Sequence, residues 1–110
     1  MNILLRCLSI DETKKFYQKI PGFQVEVTEN HTCTASRDGD AIIFTEADLW
    51  GSDPRCTGTL YFFIDDIEPF FAEINARMKC EWPLQEMAYG LREFAVTDNN
   101  GYTLAFSERS

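Results

Sequence analysis

The sequence predicts an α+β domain made of two tandem βαβββ units, chiefly because the chain repeats itself. Ile10, Phe16, Tyr17 and Ile20 reappear at an offset of 54 as Ile64, Phe70, Phe71 and Ile74. Toward the end of each half, Gly39, Ile42, Phe44 and Glu46 reappear at an offset of 62 as Gly101, Leu104, Phe106 and Glu108. Both sets keep their internal spacing, so a duplicated unit with an insertion of about eight residues explains the repeat. Neither half alone could bury the apolar face of its sheet, so the halves must pair, either within one chain or between two chains.

The first unit begins with a strand and a helix. The segment 2–10 is rich in Ile and Leu and predicts a strand, and Asp11 predicts the N-cap of the helix that follows. The apolar stripe of this helix consists of Phe16, Tyr17 and Ile20. Pro21-Gly22 then ends the helix.

Three strands complete the first unit. Apolar and polar residues alternate over 23–28, which predicts a half-buried strand. Residues 29–31 predict a turn, and strands are predicted at 32–37 and 41–45. Asp38-Gly39 joins the last two strands as a hairpin, because both residue types tolerate a positive φ.

The second unit repeats this order after a segment with turn composition. We place the first unit at about 1–46, the linker at 47–57 and the second unit at about 58–110, all within a single domain. A strand is predicted at 59–64, and a helix then starts at Asp65-Asp66 with Pro69 in its first turn. The apolar stripe of this helix consists of Phe70, Phe71, Ile74 and Met78. Further strands are predicted at about 82–89, 92–97 and 102–107, with an Asn100-Gly101 hairpin.

Composition and charge restrict the class of protein. The chain has 110 residues and a formal net charge of −8, which fits one globular domain. Nucleic acids and anionic membranes are disfavoured as partners because both require clustered Lys and Arg, whereas a cationic small molecule is compatible with the charge. No signal peptide or membrane span is recognisable, so we expect a cytoplasmic protein. Its four cysteines are then expected to be reduced: Cys7, Cys33, Cys56 and Cys80.

Two segments resemble one known superfamily. Ile10-Asp11, Phe16-Tyr17 and Ile20-Pro21-Gly22-Phe23 resemble the first helix and strand of the glyoxalase/bleomycin-resistance/extradiol-dioxygenase (vicinal oxygen chelate) superfamily. The segment from Tyr89 to Tyr102 resembles the final hairpin of the bleomycin-resistance branch. The resemblance implies two βαβββ modules whose curved mixed sheets form a cavity, usually within a homodimer.

The resemblance also implies where a metal ion would lie. Metal enzymes of the superfamily place two ligands per module on the cavity face, and the corresponding positions here are Leu5, Ile43, Thr59 and Ala105. Coordination requires donors such as imidazole nitrogen or carboxylate oxygen, which these side chains lack. His31 falls in a predicted turn away from them. We therefore expect no metal and no cofactor, and metal-assisted chemistry would have no electrophile.

Strand alternation from these positions predicts the remaining lining of the cavity. The inward residues would be Thr59, Tyr61 and Phe63, then Ala41, Ile43 and Thr45, then Glu93, Ala95 and Thr97. Cys7 has the same parity and is expected to be an inert buried thiol. The bleomycin-resistance resemblance adds Tyr89 as a stacking ring and Glu26 as an acidic groove residue, whereas Thr32 replaces an aromatic residue of that branch. The candidate ligand-binding residues are Tyr61, Tyr89, Phe63, Glu93, Glu26, Thr45 and Trp50, and no residue is assigned as catalytic.

The favoured function is a metal-free protein that sequesters an aromatic, cationic small molecule such as an antibiotic. Rings stack on planar ligands and attract cations, and carboxylates add to that attraction. One alternative is a lyase- or isomerase-type enzyme with Glu93 as base, and another is a regulatory or structural module whose aromatic residues form a dimer contact. Other interpretations of single residues are core packing for Tyr61 and Phe63, an ion pair of Glu93 with Arg92 or Arg37, a solvated charge for Glu26, and lid or partner contacts for Trp50 and Trp82.

Overall fold

Two four-stranded sheets, each packed against one helix, make up the fold. The structure is a computed structural model that describes residues 2–28, 31–56 and 58–109. Its elements are β1 (Asn2–Arg6), α1 (Ile10–Gln18), β2 (Gln24–Val27), β3 (Thr32–Arg37), β4 (Asp40–Thr45), β5 (Thr59–Ile64), α2 (Ile67–Arg77), β6 (Cys80–Glu86), β7 (Arg92–Thr97) and β8 (Thr103–Glu108). No helix among the described residues is long and apolar enough to span a membrane.

The two sheets have the same topology. The first sheet has the strand order β1-β4-β3-β2 and the second the order β5-β8-β7-β6. In each sheet the first and last strands of the module pair in parallel, and the other neighbours are antiparallel. The parallel pairs need a crossover, which α1 and α2 supply. The predicted α+β fold with two tandem βαβββ modules is confirmed.

Most element bounds agree with the prediction, but the start of α1 does not. β1 ends at Arg6, and the N-cap of α1 is Ser9, whose Oγ accepts a hydrogen bond from the backbone N–H of Glu12 at 3.2 Å. The backbone N–H of Ile10 donates to the Glu46 carboxylate at 2.9 Å. These two acceptors satisfy amides of the first turn, so the helix begins before Asp11. Part of the predicted turn at 29–31 lies outside the described residues.

β6 also differs, since it occupies Cys80–Glu86 rather than 82–89. Beyond it, the backbone N–H of Met87 donates to the carbonyl of Leu91, and that of Gly90 donates to the carbonyl of Met87. Gly90 has a φ of 90°, the left-handed conformation that such a turn requires. Tyr89 therefore lies in a tight turn between β6 and β7 rather than in a strand.

Each sheet has a core face, which packs on a helix, and an opposite open face. β5 shows the division clearly, because Leu60, Phe62 and Ile64 are buried whereas Tyr61 and Phe63 are 41% and 47% exposed. The predicted alternation in β5 is confirmed. The two modules meet through their core sides: the Phe23 ring, from the first module, lies 5.1 Å from the Phe62 ring, centroid to centroid.

The parity assigned to β1 is wrong. The β1–β4 register sets Leu5 beside Phe44 and Leu4 beside Ile43. Leu5 is therefore a core-face residue, 8% exposed, and Leu4, 42% exposed, is the one that shares the open face with Ile43. Cys7 is likewise a core residue, and burial is the main cause of its raised pKa.

A buried polar network joins the modules. The Tyr17 hydroxyl on α1 donates to the Asp98 carboxylate, which precedes β8, at 2.5 Å. Asp98 also accepts from the backbone N–H groups of Asn100 and Tyr102. Burial raises the pKa of Asp98 above its ordinary value, and these hydrogen bonds oppose the rise without cancelling it. The network fixes the β7–β8 hairpin of one module against the helix of the other.

Candidate functional site

The open face of the second sheet has large side chains at one margin and small ones in the middle. Tyr61 and Phe63 stand on β5, and the register sets them beside Ala105 and Ser107 of β8. The next strand inward, β7, continues the same rows with Ala95 and Glu93. The small side chains are buried while the two rings remain partly exposed. We refer to this strip of the open face, from Tyr61 and Phe63 across Ala105 and Ser107 to Ala95 and Glu93, as the trough. The small side chains along it are 0–2% exposed.

Glu93 is the only charged residue among those named on this trough, and it is fully buried. Its Oε2 accepts a hydrogen bond from the Tyr61 hydroxyl at 3.3 Å. Its Oε1 is buried and has no hydrogen-bond partner among the described residues. A buried carboxylate oxygen without a partner carries a desolvation penalty of about 1–3 kcal/mol or more. Oε1 is therefore a buried acceptor without a recorded partner, directly beneath the exposed part of the trough.

Tyr61 is a hydrogen-bond donor at neutral pH. Burial, followed by the neighbouring Glu93 carboxylate, raises the pKa of the phenol above its ordinary value, so the hydroxyl keeps its proton. The residue is partly exposed while its hydroxyl donates to Glu93. One residue thus supplies an aromatic surface and orients the carboxylate.

The ion pair considered for Glu93 is not the one that the structure forms. Arg92 pairs with Glu108 at 3.3 Å and with Glu68 at 2.5 Å. Arg37 donates to the Pro21 carbonyl at 3.0 Å, and its guanidinium lies 5.1 Å from the centre of the Phe70 ring. Both arginines are engaged elsewhere, which leaves Tyr61 as the hydrogen-bond partner of Glu93 that the structure records.

Trp82 flanks the trough on the β6 side, and the sequence did not indicate this. The register places it opposite Ala95, between two irregularities in the β6–β7 pairing. Its indole Nε1 is buried without a hydrogen-bond partner in the part of the chain that is described. A β-bulge shifts the alternation of a strand, so counting residues could not assign Trp82 to a face. The sequence feature that could have indicated the trough is the set of small residues on β7 and β8.

Glu26 and Thr45 belong to the first sheet. Glu26 is exposed on the edge strand β2, in the row that continues through Thr34 to Ile43. Thr45 ends β4, and its Oγ1 accepts from the backbone N–H of Ala47 at 3.1 Å. The hydroxyl of Thr45 therefore stabilises the turn that leaves the strand. The structure does not bring these two residues into contact with Tyr61 and Glu93.

Tyr89 and Trp50 lie in connections rather than on a sheet. Tyr89 is 58% exposed in the β6–β7 turn, and Trp50 is 49% exposed in the connection between β4 and β5. Of the seven candidates, the structure thus gathers Tyr61, Phe63 and Glu93 on one face. The other four are distributed over the first sheet and two connections.

The residues at the superfamily's metal positions do not fit a metal ion. Leu4, rather than Leu5, lies beside Ile43 on the open face, and neither leucine carries a donor atom. Ile43 and Ala105 are also hydrocarbon side chains. Thr59 alone offers an oxygen, as a neutral hydroxyl. Within residues 2–28, 31–56 and 58–109, no group of three or more His, Cys, Asp or Glu could hold a metal ion.

Known proteins resemble this chain over nearly its whole length. A family model described as Glyoxalase/Bleomycin resistance protein/Dioxygenase superfamily matches residues 2–106. TioX from Micromonospora sp. ML1 is 17% identical with a TM-score of 0.79, and the alignment covers 100% of this chain and 98% of TioX. A glyoxalase/bleomycin resistance protein/dioxygenase from Alicyclobacillus acidocaldarius is 15% identical, with a TM-score of 0.78 and coverage of 98% and 89%. A superfamily member from Sphaerobacter thermophilus is 17% identical, with a TM-score of 0.79 and coverage of 98% and 94%. At these identities the structural likeness concerns the fold alone, and no curated protein sequence matches significantly.

Proposed function

The chain belongs to the glyoxalase/bleomycin resistance protein/dioxygenase superfamily, and from this premise we propose that it binds a small aromatic cation on the open face of its second sheet. The observation that carries the proposal is the buried Glu93 carboxylate, whose Oε1 has no partner among the described residues. Binding alone, without chemical conversion, is the proposed activity. A cationic antibiotic held in this way would be kept from its target.

An uncompensated buried charge at Glu93 favours a cationic ligand. Desolvating a carboxylate is unfavourable by several kcal/mol unless an opposite charge and hydrogen bonds compensate it. A ligand ammonium or amidinium group would supply both to Oε1 of Glu93, while Tyr61 holds the other oxygen. The formal net charge of −8 attracts cations and disfavours anions at the same face.

The two rings on β5 favour a ligand with a planar apolar body. Tyr61 and Phe63 present partly exposed rings beside a floor of small residues, which suits a flat apolar body. A cation over such a ring gains about 0.5–2 kcal/mol, depending on its desolvation. Thr32, where the bleomycin-resistance branch has an aromatic residue, argues against bleomycin itself and for a smaller planar compound.

A homodimer is part of the proposal. Leu4 on the first sheet and Tyr61 and Phe63 on the second are large apolar residues exposed on open faces. A contiguous exposed apolar patch indicates an interaction site. A two-fold contact with a second copy is the commonest way in which a chain covers such a patch. A second copy would turn each shallow trough into an enclosed cavity.

The test is a calorimetric titration of the protein with pairs of planar ligands that match in shape and differ in charge. Benzamidine and larger aromatic amidines should bind, while the corresponding neutral amides should bind about tenfold more weakly or not at all. Glu93→Gln should remove this preference for the cation. Glu73→Gln, which changes an exposed carboxylate on α2, is the matched control and should leave it intact. Equal binding of amidine and amide, or an unchanged preference in Glu93→Gln, would refute the proposal.

A second candidate function, acid–base catalysis, is favoured by the Tyr61–Glu93 contact. A carboxylate that accepts from a phenol and keeps one oxygen free has the arrangement of a general base with a neighbouring donor. Incubation of the bound compounds followed by mass spectrometry distinguishes the two functions. Recovery of unchanged ligand supports binding alone, whereas a product formed by wild-type protein and lost in Glu93→Gln supports catalysis.

A further inference from the structure

We propose that a second cavity, between β1 and the connection that joins the modules, binds a small aromatic carboxylate. The cavity has a volume of about 190 Å³, and its walls include Leu4, Arg6, Trp50, Asp53, Arg55 and Tyr102. Cavities for drug-sized ligands measure about 300–1,000 Å³, so this one suits a single ring with a short substituent. Tyr61, Phe63 and Glu93 do not line it, so the inference does not depend on the cation site proposed above, although Leu4 is shared with the proposed dimer contact.

Arg6 is the fixed cation of this cavity. Its Nη1 donates to the Ser52 carbonyl at 2.6 Å and lies 3.6 Å from the Asp53 carboxylate. Its Nε is buried without a hydrogen bond among the described residues, and the Asp48 carboxylate at 4.0 Å is too far to accept one. The guanidinium therefore has donor capacity that the surrounding protein leaves unused.

The partner carboxylate of Arg6 is replaceable. The Asp53 side chain is 97% exposed, whereas that of Arg6 is 18% exposed. Ion pairs with a fully solvated partner contribute about 0–1 kcal/mol. A ligand carboxylate that reaches Arg6 from inside the cavity can displace Asp53 with little loss, because a planar carboxylate matches the guanidinium fork.

Arg55 gives the cavity its charge preference. It lines the cavity, and the described residues give it no ion pair or hydrogen bond. Asp48 and Asp53 lie near Arg6, so the two arginines and the two aspartates sum to zero formal charge. A bound anion would therefore be attracted by direct contact with Arg55 and Arg6, and not by a net positive potential.

The remaining walls favour a planar apolar body. Trp50 contributes a half-exposed indole, and Leu4 and Tyr102 contribute further apolar surface. An aromatic ring packed on an indole, with its carboxylate at the guanidinium groups, uses both kinds of wall. This arrangement explains why Trp50 stands apart from Tyr61, since the two belong to different sites with opposite charge preference.

The experiment compares benzoate, benzamide and benzamidine by calorimetry and by the NMR resonances of the two indole N–H groups. Benzoate should bind saturably and shift the Trp50 resonance, assigned with Trp50→Phe, while the Trp82 resonance stays in place. Arg55→Gln should weaken benzoate binding by about tenfold. Arg77→Gln, which removes an exposed arginine on α2, is the matched control and should bind like wild type.

Several outcomes would overturn the inference. They are the absence of heat and of a Trp50 shift at millimolar benzoate, equal affinity for benzamide, and undiminished binding in Arg55→Gln. Glu93→Gln should leave benzoate binding unchanged, so a failure here is distinguishable from a failure at the open face. Loss of benzoate binding in Glu93→Gln would assign the anion to the other site and would also contradict the inference.

Discussion

At the scale of single residues, the burial of Glu93 lowers the stability of the chain and bears on the proposed binding of a ligand. A fully buried carboxylate with one unpartnered oxygen destabilises the unliganded chain, and in the complex that we propose the same oxygen would accept from the ligand. Binding sites commonly retain such groups at the expense of stability. The residue therefore permits a test of function through stability.

We predict that Glu93→Gln raises the free energy of unfolding by about 1–2 kcal/mol in the absence of ligand, because a neutral amide costs less to bury than a carboxylate. Urea denaturation at neutral pH measures the change. Glu73→Gln, on an exposed helix surface, should stay within about 0.5 kcal/mol of wild type. A clear loss of stability in Glu93→Gln would mean that the carboxylate has a structural partner and is not held for a ligand.

Asp98 offers a second test at this scale, through pH. Its pKa is raised above the ordinary value of 3.8, first by burial. A raised carboxyl pKa contributes most to stability below the ordinary pKa, and this contribution is lost as pH rises through the folded-state value. The stability of wild type minus that of Asp98→Asn should therefore fall as pH increases above about 4.

Urea denaturation of both proteins between about pH 4 and pH 7 measures this difference, in which the other carboxylates cancel. Asp38→Asn is a suitable control because Asp38 is exposed in the β3–β4 hairpin and has no place in the buried network. A difference that stays constant or grows with pH would contradict the argument.

At the scale of elements, α1 shows how a capping residue sets a boundary. Ser9 accepts from the first turn of the helix, whereas Asp11 lies inside the helix on its exposed side. Both residue types are good N-caps, so composition could not choose between them. The choice follows from Ile10, which is buried and must belong to the packed turn.

We predict that Ser9→Ala lowers the free energy of unfolding by about 1 kcal/mol, because an amide of the first turn loses its acceptor. Asp11→Ala should lower it by less, about 0.3–0.5 kcal/mol, since only a favourable interaction with the helix dipole is lost. Thermal and urea denaturation of the two variants give the comparison. The reverse order would restore Asp11 as the functional cap.

At this scale, the sequence could predict strand bounds and the face of each residue only where the two faces alternate without interruption along the strand. β3, β5 and β7 have the predicted bounds, and the faces of β5 are as counted, because uninterrupted strands alternate strictly. Leu5 was misassigned because it was aligned with a metal position of the superfamily, whereas the β1–β4 register sets Leu4 beside Ile43 on the open face. Trp82 was missed because the β6–β7 register is irregular. The pairing of Tyr61 with Glu93 depends on strands that are distant in sequence, and alternation gives only their shared face.

At the scale of the whole molecule, the two modules bury their core faces against each other and leave both open faces uncovered. Tyr17, Phe23 and Asp98 carry contacts across the junction. Leu4, Tyr61 and Phe63 carry none of them and stay 41–47% exposed. A stable chain with its apolar open faces in water calls for a partner surface of the same kind.

We predict that the wild-type protein sediments as a dimer of two 12.7 kDa chains. Leu4→Glu should shift it to monomer, because a charged side chain would replace an apolar one in the two-fold contact and would have to be desolvated there. Ala76→Glu places the same charge on the exposed side of α2 and should leave the dimer intact. Sedimentation velocity over a range of protein concentrations measures the distribution, and circular dichroism checks that both variants are folded.

A wild-type protein that stays monomeric at high concentration would mean that a ligand, or a different chain, covers these faces. A Leu4→Glu protein that remains dimeric would place the contact elsewhere, and the troughs would then be open to solvent in the assembled protein.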